Sequence, residues 1–146
     1  MEKAAEGFNA VNAVRHVVLI DDEDDCTFVS KLVLKKAGFN GRVSCFTSGA
    51  EALEWFRTVP QDELPDLVFV DINMPAMTGF QMLEACEREG LFPNSRSTVI
   101  MFSGSILPMD IERAHAFPFV AAYAEKALDV DRFRQFCADH IRKHAA

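Results

Sequence analysis

Clustered positive charge is missing from this sequence. Its 15 Lys and Arg are outnumbered by 22 Asp and Glu, which leaves a net charge of −7. Phosphate backbones and anionic lipid surfaces are bound by grouped cations, so nucleic acid and membrane surface are poor candidates as partners. No apolar run approaches the roughly 20 residues needed to span a bilayer. The start, MEKAAEGFNAVNAVRH, lacks the apolar centre of a signal peptide and carries Glu2 and Glu6. A cytoplasmic protein is the simplest reading. Cysteine pairing motifs are absent too: Cys26, Cys45, Cys86 and Cys137 are far apart and form no C-x-x-C pair. That spacing favours buried free thiols over disulfides or zinc ligands. Neither an internal repeat nor a low-complexity linker occurs. Trp and Tyr appear once each, against 13 Phe, so the core is expected to be phenylalanine-rich.

What is there fits one domain. The length of 146 residues is near the commonest domain size, and 49% apolar residues are ample for a core. Residues 1–14 read as a flexible leader and 15–146 as the folded unit. Within that unit, short β-branched runs alternate with helical patterns. Val17–Ile20 reads as a strand. Residues 25–37 read as a helix, with Phe28, Val29, Leu32 and Val33 at helical spacing and Gly38 as its stop. RVSCF is a second strand. Ser48 with Glu51 predicts a capping box opening a second helix, on which Trp55 lies. DLVFVD is a third strand, apolar on both faces and therefore central. Thr78 with Gln81 opens a third helix by another capping box. TVIMFS is a fourth strand, a short helix runs from Asp110 to His115, and FVAAYAEK is a fifth strand. Residues 129–143 form the last helix, with Phe133, Phe136, Cys137 and Ile141 inward. Five strand–helix units imply an α/β fold: a five-stranded parallel sheet with helices on both faces.

Ligands of such sheets bind at the carboxyl ends of the strands, at the switch point of strand order. The first strand here ends on Asp21 and Asp22, the third on Asp71, the fourth on Ser103 and the fifth on Glu125 and Lys126. In the doubly wound order 2-1-3-4-5 the first and third strands are neighbours, which brings Asp21, Asp22 and Asp71 together. Three carboxylates in one place repel one another and raise one another's pKa. A hard divalent cation with oxygen ligands offsets this, and Mg²⁺ suits the donor set best. Lys126 adds a further positive charge. An aspartate beside Mg²⁺, a lysine and a hydroxyl can also act as a nucleophile toward phosphorus. The Ser103 hydroxyl can donate to a phosphoryl oxygen.

With those residues in order, the sequence resembles the CheY-like receiver domains of bacterial two-component response regulators. The resemblance covers roughly residues 15–143. It rests on LIDDE (Asp21, Asp22), VDINMPAMTGF (Asp71, Asn73, Pro75, Gly79), MFSGS (Ser103) and EKA (Lys126). It implies the flavodoxin-like strand order 2-1-3-4-5 and a phosphoacceptor role for Asp71. It implies that Asp22 and Asp71 hold Mg²⁺, with Asp21 acting directly or through water and Asn73 giving its backbone carbonyl. Ser103 and Lys126 would hold the phosphoryl group. Ser103 and Tyr123 would be the switching pair, altering the face that binds partners. The implied phosphoryl sources are a histidine kinase or a histidine phosphotransfer protein. A stand-alone receiver is the expectation, because no output domain follows residue 146. One departure stands out: the family usually has proline after the lysine, and here it is Ala127. A cis bond without proline costs about 3 kcal/mol, so a trans bond or a rebuilt loop is expected.

Other readings are weaker. A haloacid-dehalogenase-type phosphatase uses similar residues but needs an acid two positions after the nucleophile, where this chain has Asn73. The receiver reading makes the protein a phosphoacceptor rather than an enzyme. A degenerate receiver acting only as a binding module is disfavoured by the intact acids. A flavin carrier of the same fold would need a Ser/Thr-rich phosphate loop after the first strand. His140 and His144, four apart, form a conceivable metal pair, but they lie in the basic helix end HIRKH.

Overall fold

A computed structural model describes residues 9–104 and 107–144. Its five strands are β1 (His16–Ile20), β2 (Arg42–Phe46), β3 (Leu67–Asp71), β4 (Thr98–Ser103) and β5 (Val120–Glu125). All pair in parallel in the order β2-β1-β3-β4-β5. Every residue of β1, β3 and β4 is buried, as the continuous apolar runs predict, while β2 and β5 form the half-exposed edges. The connecting helices are α2 (Asp24–Lys36), α3 (Gly49–Thr58), α4 (Gly79–Arg88) and α5 (Pro108–His115), with α6 (Val130–His144) last.

Side chains alternate along each strand, so the sheet separates two cores. Val18, Ile20, Val68, Val70, Val99 and Met101 face α3, α4 and α5 and meet Phe56, Phe80 and Phe92. Val17, Leu19, Leu67, Phe69, Ile100 and Phe102 face α2 and α6 and meet Phe39 and Phe133. The phenylalanine-rich core takes mostly edge-to-face form, as in Phe56–Phe92 at 5.0 Å and Phe69–Phe102 at 5.9 Å.

Local chemistry sets the helix ends. Thr78 and Gln81 complete the expected capping box. Ser48 accepts the Glu51 N–H, but the Glu51 carboxylate turns to the Thr47 N–H instead, so the second box is only half made. Gly38, at φ +93°, closes α2 in the left-handed region where glycine is at ease.

Four expectations need correction. Part of the leader is ordered: Ala10–Ala13 make one helical turn, α1, capped by Asn9, with Val11 and Val14 buried against the α6 side. Residues 1–8 lie outside the described ones. Not every phenylalanine is core: Phe28 is 63% exposed, with Val29 and Leu32 beside it. The inward line of α2 is instead Ser30 and Leu34, continued by Ala37 at its C-cap and rotated from the apolar one. Cys86 and Cys137 are buried free thiols, whereas Cys26 is partly exposed and Cys45 faces outward from edge strand β2. Finally, the Lys126–Ala127 peptide bond is cis. A trans bond is what an isolated peptide would take; here Arg132 Nη2 donates to the carbonyls of Glu125 (2.6 Å) and Ala127 (2.5 Å), and Leu128 is buried just beyond. Among the described residues, no helix is long and apolar enough to cross a membrane.

Candidate functional site

The site is built where β1 and β3 stop. Ile20 pairs with Val70, so the next residues, Asp21 and Asp71, emerge side by side. Asp22 follows on the β1 loop. One oxygen from each of the three carboxylates lies within 4.8 Å of the others. Asp21 and Asp71 are buried, and Asp22 is half-buried. The β3–α4 loop closes beneath them. Gly79 opens α4 so close to β3 that a Cβ there would lie 2.4 Å from the Asp71 carbonyl oxygen. The Gly79 N–H donates to the Ile72 carbonyl at 2.9 Å. The glycine singled out in the sequence motif is therefore required by a close approach of backbone.

Lys126 reaches in from the β5–α6 loop. Its Nζ lies 2.8 Å from Asp21 Oδ2, 3.4 Å from Glu23 Oε1 and 3.5 Å from Asp71 Oδ2. The Lys126 N–H donates to the Ser103 carbonyl at 2.7 Å, which ties this loop to the end of β4. Burial works against the Lys126 charge, but the hydrogen bond to Asp21 and the charges of Asp71 and Asp21 outweigh it and hold its pKa above the ordinary value. Asp71 is pushed up to about 6: burial raises it most, Asp21 raises it further, and Lys126 and the Asn73 N–H pull it back only in part. That N–H donates to Asp71 Oδ1 at 3.3 Å.

The donor set fits a hard cation. Asp22 Oδ1 is buried without a hydrogen-bond partner. A carboxylate oxygen left so costs free energy unless a cation or water meets it. Three converging carboxylate oxygens are consistent with a hard divalent cation such as Mg²⁺ and do not suit a softer metal.

The other expected residues fall as follows. Ser103 ends β4, fully buried, opposite Glu125. Tyr123 is half-buried on β5, opposite Met101, and packs on the α3–α4–α5 core. Asp21, Asp22, Asp71, Asn73 and Lys126 thus come together, with Ser103 adjoining through its backbone and Tyr123 two residues before the end of β5. His140 and His144 lie elsewhere. The His140 Nδ1 contacts Thr98 Oγ1 at 2.6 Å and its Nε2 contacts Asp66 Oδ1 at 3.3 Å, so neither ring nitrogen is left for a metal.

Sequence reasoning missed Glu23. It stands inside the acidic run Asp21–Asp25, where nothing in the one-dimensional pattern separates it from solvated neighbours. The usable signal was Cys26 three residues later, since i and i+3 share a helix face. The Cys26 thiol donates to Glu23 Oε1 at 3.3 Å.

Comparison with known proteins agrees with this geometry. The family model "Response regulator receiver domain" matches residues 17–135. A two-component response regulator from Cytophaga hutchinsonii superposes with a TM-score of 0.79 at 24% identity, over 88% of this chain and 98% of that one. A CheY-like receiver domain protein from Methanospirillum hungatei gives 0.70 at 19% identity, over 89% and 98%. The chemotaxis protein CheY4 of Vibrio cholerae gives 0.65 at 20% identity, over 90% and 99%. At such identities the solved structures speak to the fold alone. Among curated proteins, no match is found.

Proposed function

Because the chain belongs to the response regulator receiver domain family, we propose that it is a phosphorylation switch whose acceptor is Asp71. The observation that carries this is the convergence on Asp71 of the Lys126 ammonium and of carboxylate oxygens from Asp21 and Asp22, in a site where Asp22 Oδ1 is buried without a hydrogen-bond partner. An Asp71 carboxylate oxygen forms a bond to phosphorus as the bond from phosphorus to the donor breaks. From a phosphohistidine of a kinase or phosphotransfer protein, the imidazole nitrogen leaves with the electron pair. The product is an acyl phosphate on Asp71.

Each residue has a task in that step. The Asn73 N–H holds Asp71 Oδ1, which leaves Oδ2 on the Lys126 side. Lys126 neutralises charge on the phosphoryl oxygens, the main demand phosphoryl transfer places on a protein. The Ser103 hydroxyl takes a phosphoryl oxygen as a hydrogen-bond acceptor. Asp21, Asp22, Asp71 and the Asn73 carbonyl would hold Mg²⁺, which supplies further charge neutralisation when bound. Tyr123, on the strand that ends beside Lys126, carries the altered state to the face formed by α5, β5 and α6. A change there follows only if the phosphoryl group favours one arrangement of Ser103 and Tyr123 over another. The implied partners are a histidine kinase or phosphotransfer protein upstream and a protein target downstream, all in the cytoplasm. Asn73 stands where a phosphatase of similar chemistry would need a general acid, and an amide cannot serve.

The test is intact-mass spectrometry after incubation with Mg²⁺ and acetyl phosphate, on wild type and on Asp71→Asn. A single labile phosphoryl adduct is expected on wild type only. If none appears, a titration with beryllofluoride and Mg²⁺ followed by NMR decides. Unmoved resonances around Asp71 would sink the reading and leave a module that binds partners without phosphorylation.

A further inference from the structure

We infer that Glu23 is a positioning residue that restrains Lys126 before phosphorylation and yields it to the incoming phosphoryl group. The inference rests on the phosphoacceptor reading and adds a residue to it. An ammonium has three protons to donate. Lys126 meets three carboxylates, those of Asp21, Glu23 and Asp71. Its donors are therefore committed before any phosphoryl oxygen arrives, and one partner must give way. Asp21 holds Lys126 at 2.8 Å and is itself buried, so it is anchored. Asp71 is the acceptor, and its bond to phosphorus keeps it in place. Glu23 is the remaining partner, with a contact longer than that of Asp21 and a side chain 62% exposed.

Two further observations show that Glu23 is aimed rather than stray. It occupies the N-cap position of α2, yet its side chain makes no cap hydrogen bond. Its carboxylate turns instead toward Lys126. The oxygen that meets Lys126, Oε1, is the same one that accepts the Cys26 thiol from one helical turn on. Backbone fixes the base of the side chain, because the Glu23 N–H donates to Asp21 Oδ1 at 2.9 Å. The carboxylate thus stands at the mouth of the acidic site, held from two sides. It has two separable effects. Its charge repels an anionic donor on approach, which acts on KM. Its contact with Nζ delays transfer of Lys126 to the phosphoryl oxygens, which acts on kcat.

The experiment measures the rate of phosphoryl loading from acetyl phosphate at saturating Mg²⁺, in wild type, Glu23→Gln and Glu23→Asp. In the step followed, an Asp71 oxygen bonds to phosphorus and acetate leaves with the electron pair of the broken P–O bond. Glu23→Gln is expected to load roughly threefold to tenfold faster at low salt, with KM lowered and kcat raised. The KM part should fade near 1 M salt, where the screening length falls to about 3 Å. The shorter Glu23→Asp keeps the charge but loses the reach, so it should raise kcat while leaving KM near the wild-type value. A merely structural role for Glu23 would produce neither the salt dependence nor this split. Equal rates in wild type and Glu23→Gln at low salt would overturn the inference while leaving the phosphoacceptor reading standing. Failure of wild type both to load and to bind beryllofluoride would remove both.

Discussion

At Asp71 the fold holds a charge that its surroundings resist. The side chain is buried beside Asp21 and shares Lys126 with two other acids. Function, on the reading above, requires that arrangement, and stability opposes it. Asp71→Asn removes the repulsion with Asp21 and leaves Lys126 paired to Asp21 and Glu23. In chelator-treated buffer at neutral pH the variant should be more stable than wild type by about 1–2 kcal/mol. Urea denaturation would read this as a higher midpoint at unchanged slope. Excess Mg²⁺ should narrow the gap by stabilising wild type more than the variant. A variant less stable than wild type without metal would mean that Asp71 acts chiefly as a structural partner of Lys126.

Two elements are fixed by contacts at single residues. Helix α4 begins against the Asp71 carbonyl, with no room for a methyl group at Gly79. Gly79→Ala should cost about 2–3 kcal/mol and shift the backbone resonances of Asp71 and Ile72, as a thermal melt and an amide spectrum would show. At the opposite end of the sheet, Asp66 fastens α6. Its carboxylate accepts the Arg15 and His16 N–H groups and meets Arg96 and His140. Burial alone would raise its pKa, but the His140 hydrogen bond, the Arg15 N–H and Arg96 outweigh this and hold it well below the usual carboxylate range. A depressed folded-state pKa contributes stability that is complete above the unfolded value of 3.8 and is lost as pH falls toward the folded one. Asp66→Asn should therefore lose about 2–3 kcal/mol at pH 7, discounted because Arg96 is partly exposed, and show a flatter decline as pH falls below about 4. Parallel slopes in that range would assign the acid sensitivity elsewhere. Much at this scale was legible in the sequence. Thr78 with Gln81, Gly38 and the continuous runs of β3 and β4 each carry their instruction locally. The inward face of α2 was not legible, because Phe28, Val29 and Leu32 form a better apolar stripe than the Ser30–Leu34–Ala37 line that packs. Neither was the α1 turn, whose Val11 and Val14 have nothing to bury against until α6 is in place.

For the molecule as a whole, the acidic strand ends were the most legible feature. A carboxylate that closes an apolar run must sit at the rim of the sheet, where water, a cation or a ligand can meet its charge. The switch point between β1 and β3 then brings these acids together without further instruction. What the sequence could not convey was which neighbour of Lys126 matters, since that depends on how the β5–α6 loop lays its lysine against the start of α2. The sheet that carries the site also divides the interior, with one core under α3, α4 and α5 and another under α2 and α6. Leu53 belongs to the first and Phe133 to the second, with no shared partner. The losses from Leu53→Ala and Phe133→Ala should then add within about 0.5 kcal/mol in the double variant. A larger coupling, read by urea denaturation of the three variants, would mean that the sheet transmits packing strain. If the costs do add, the two faces are separate accounts for natural selection. One side can drift in sequence while the other is held, and the carboxylates on the seam between them need not move with either.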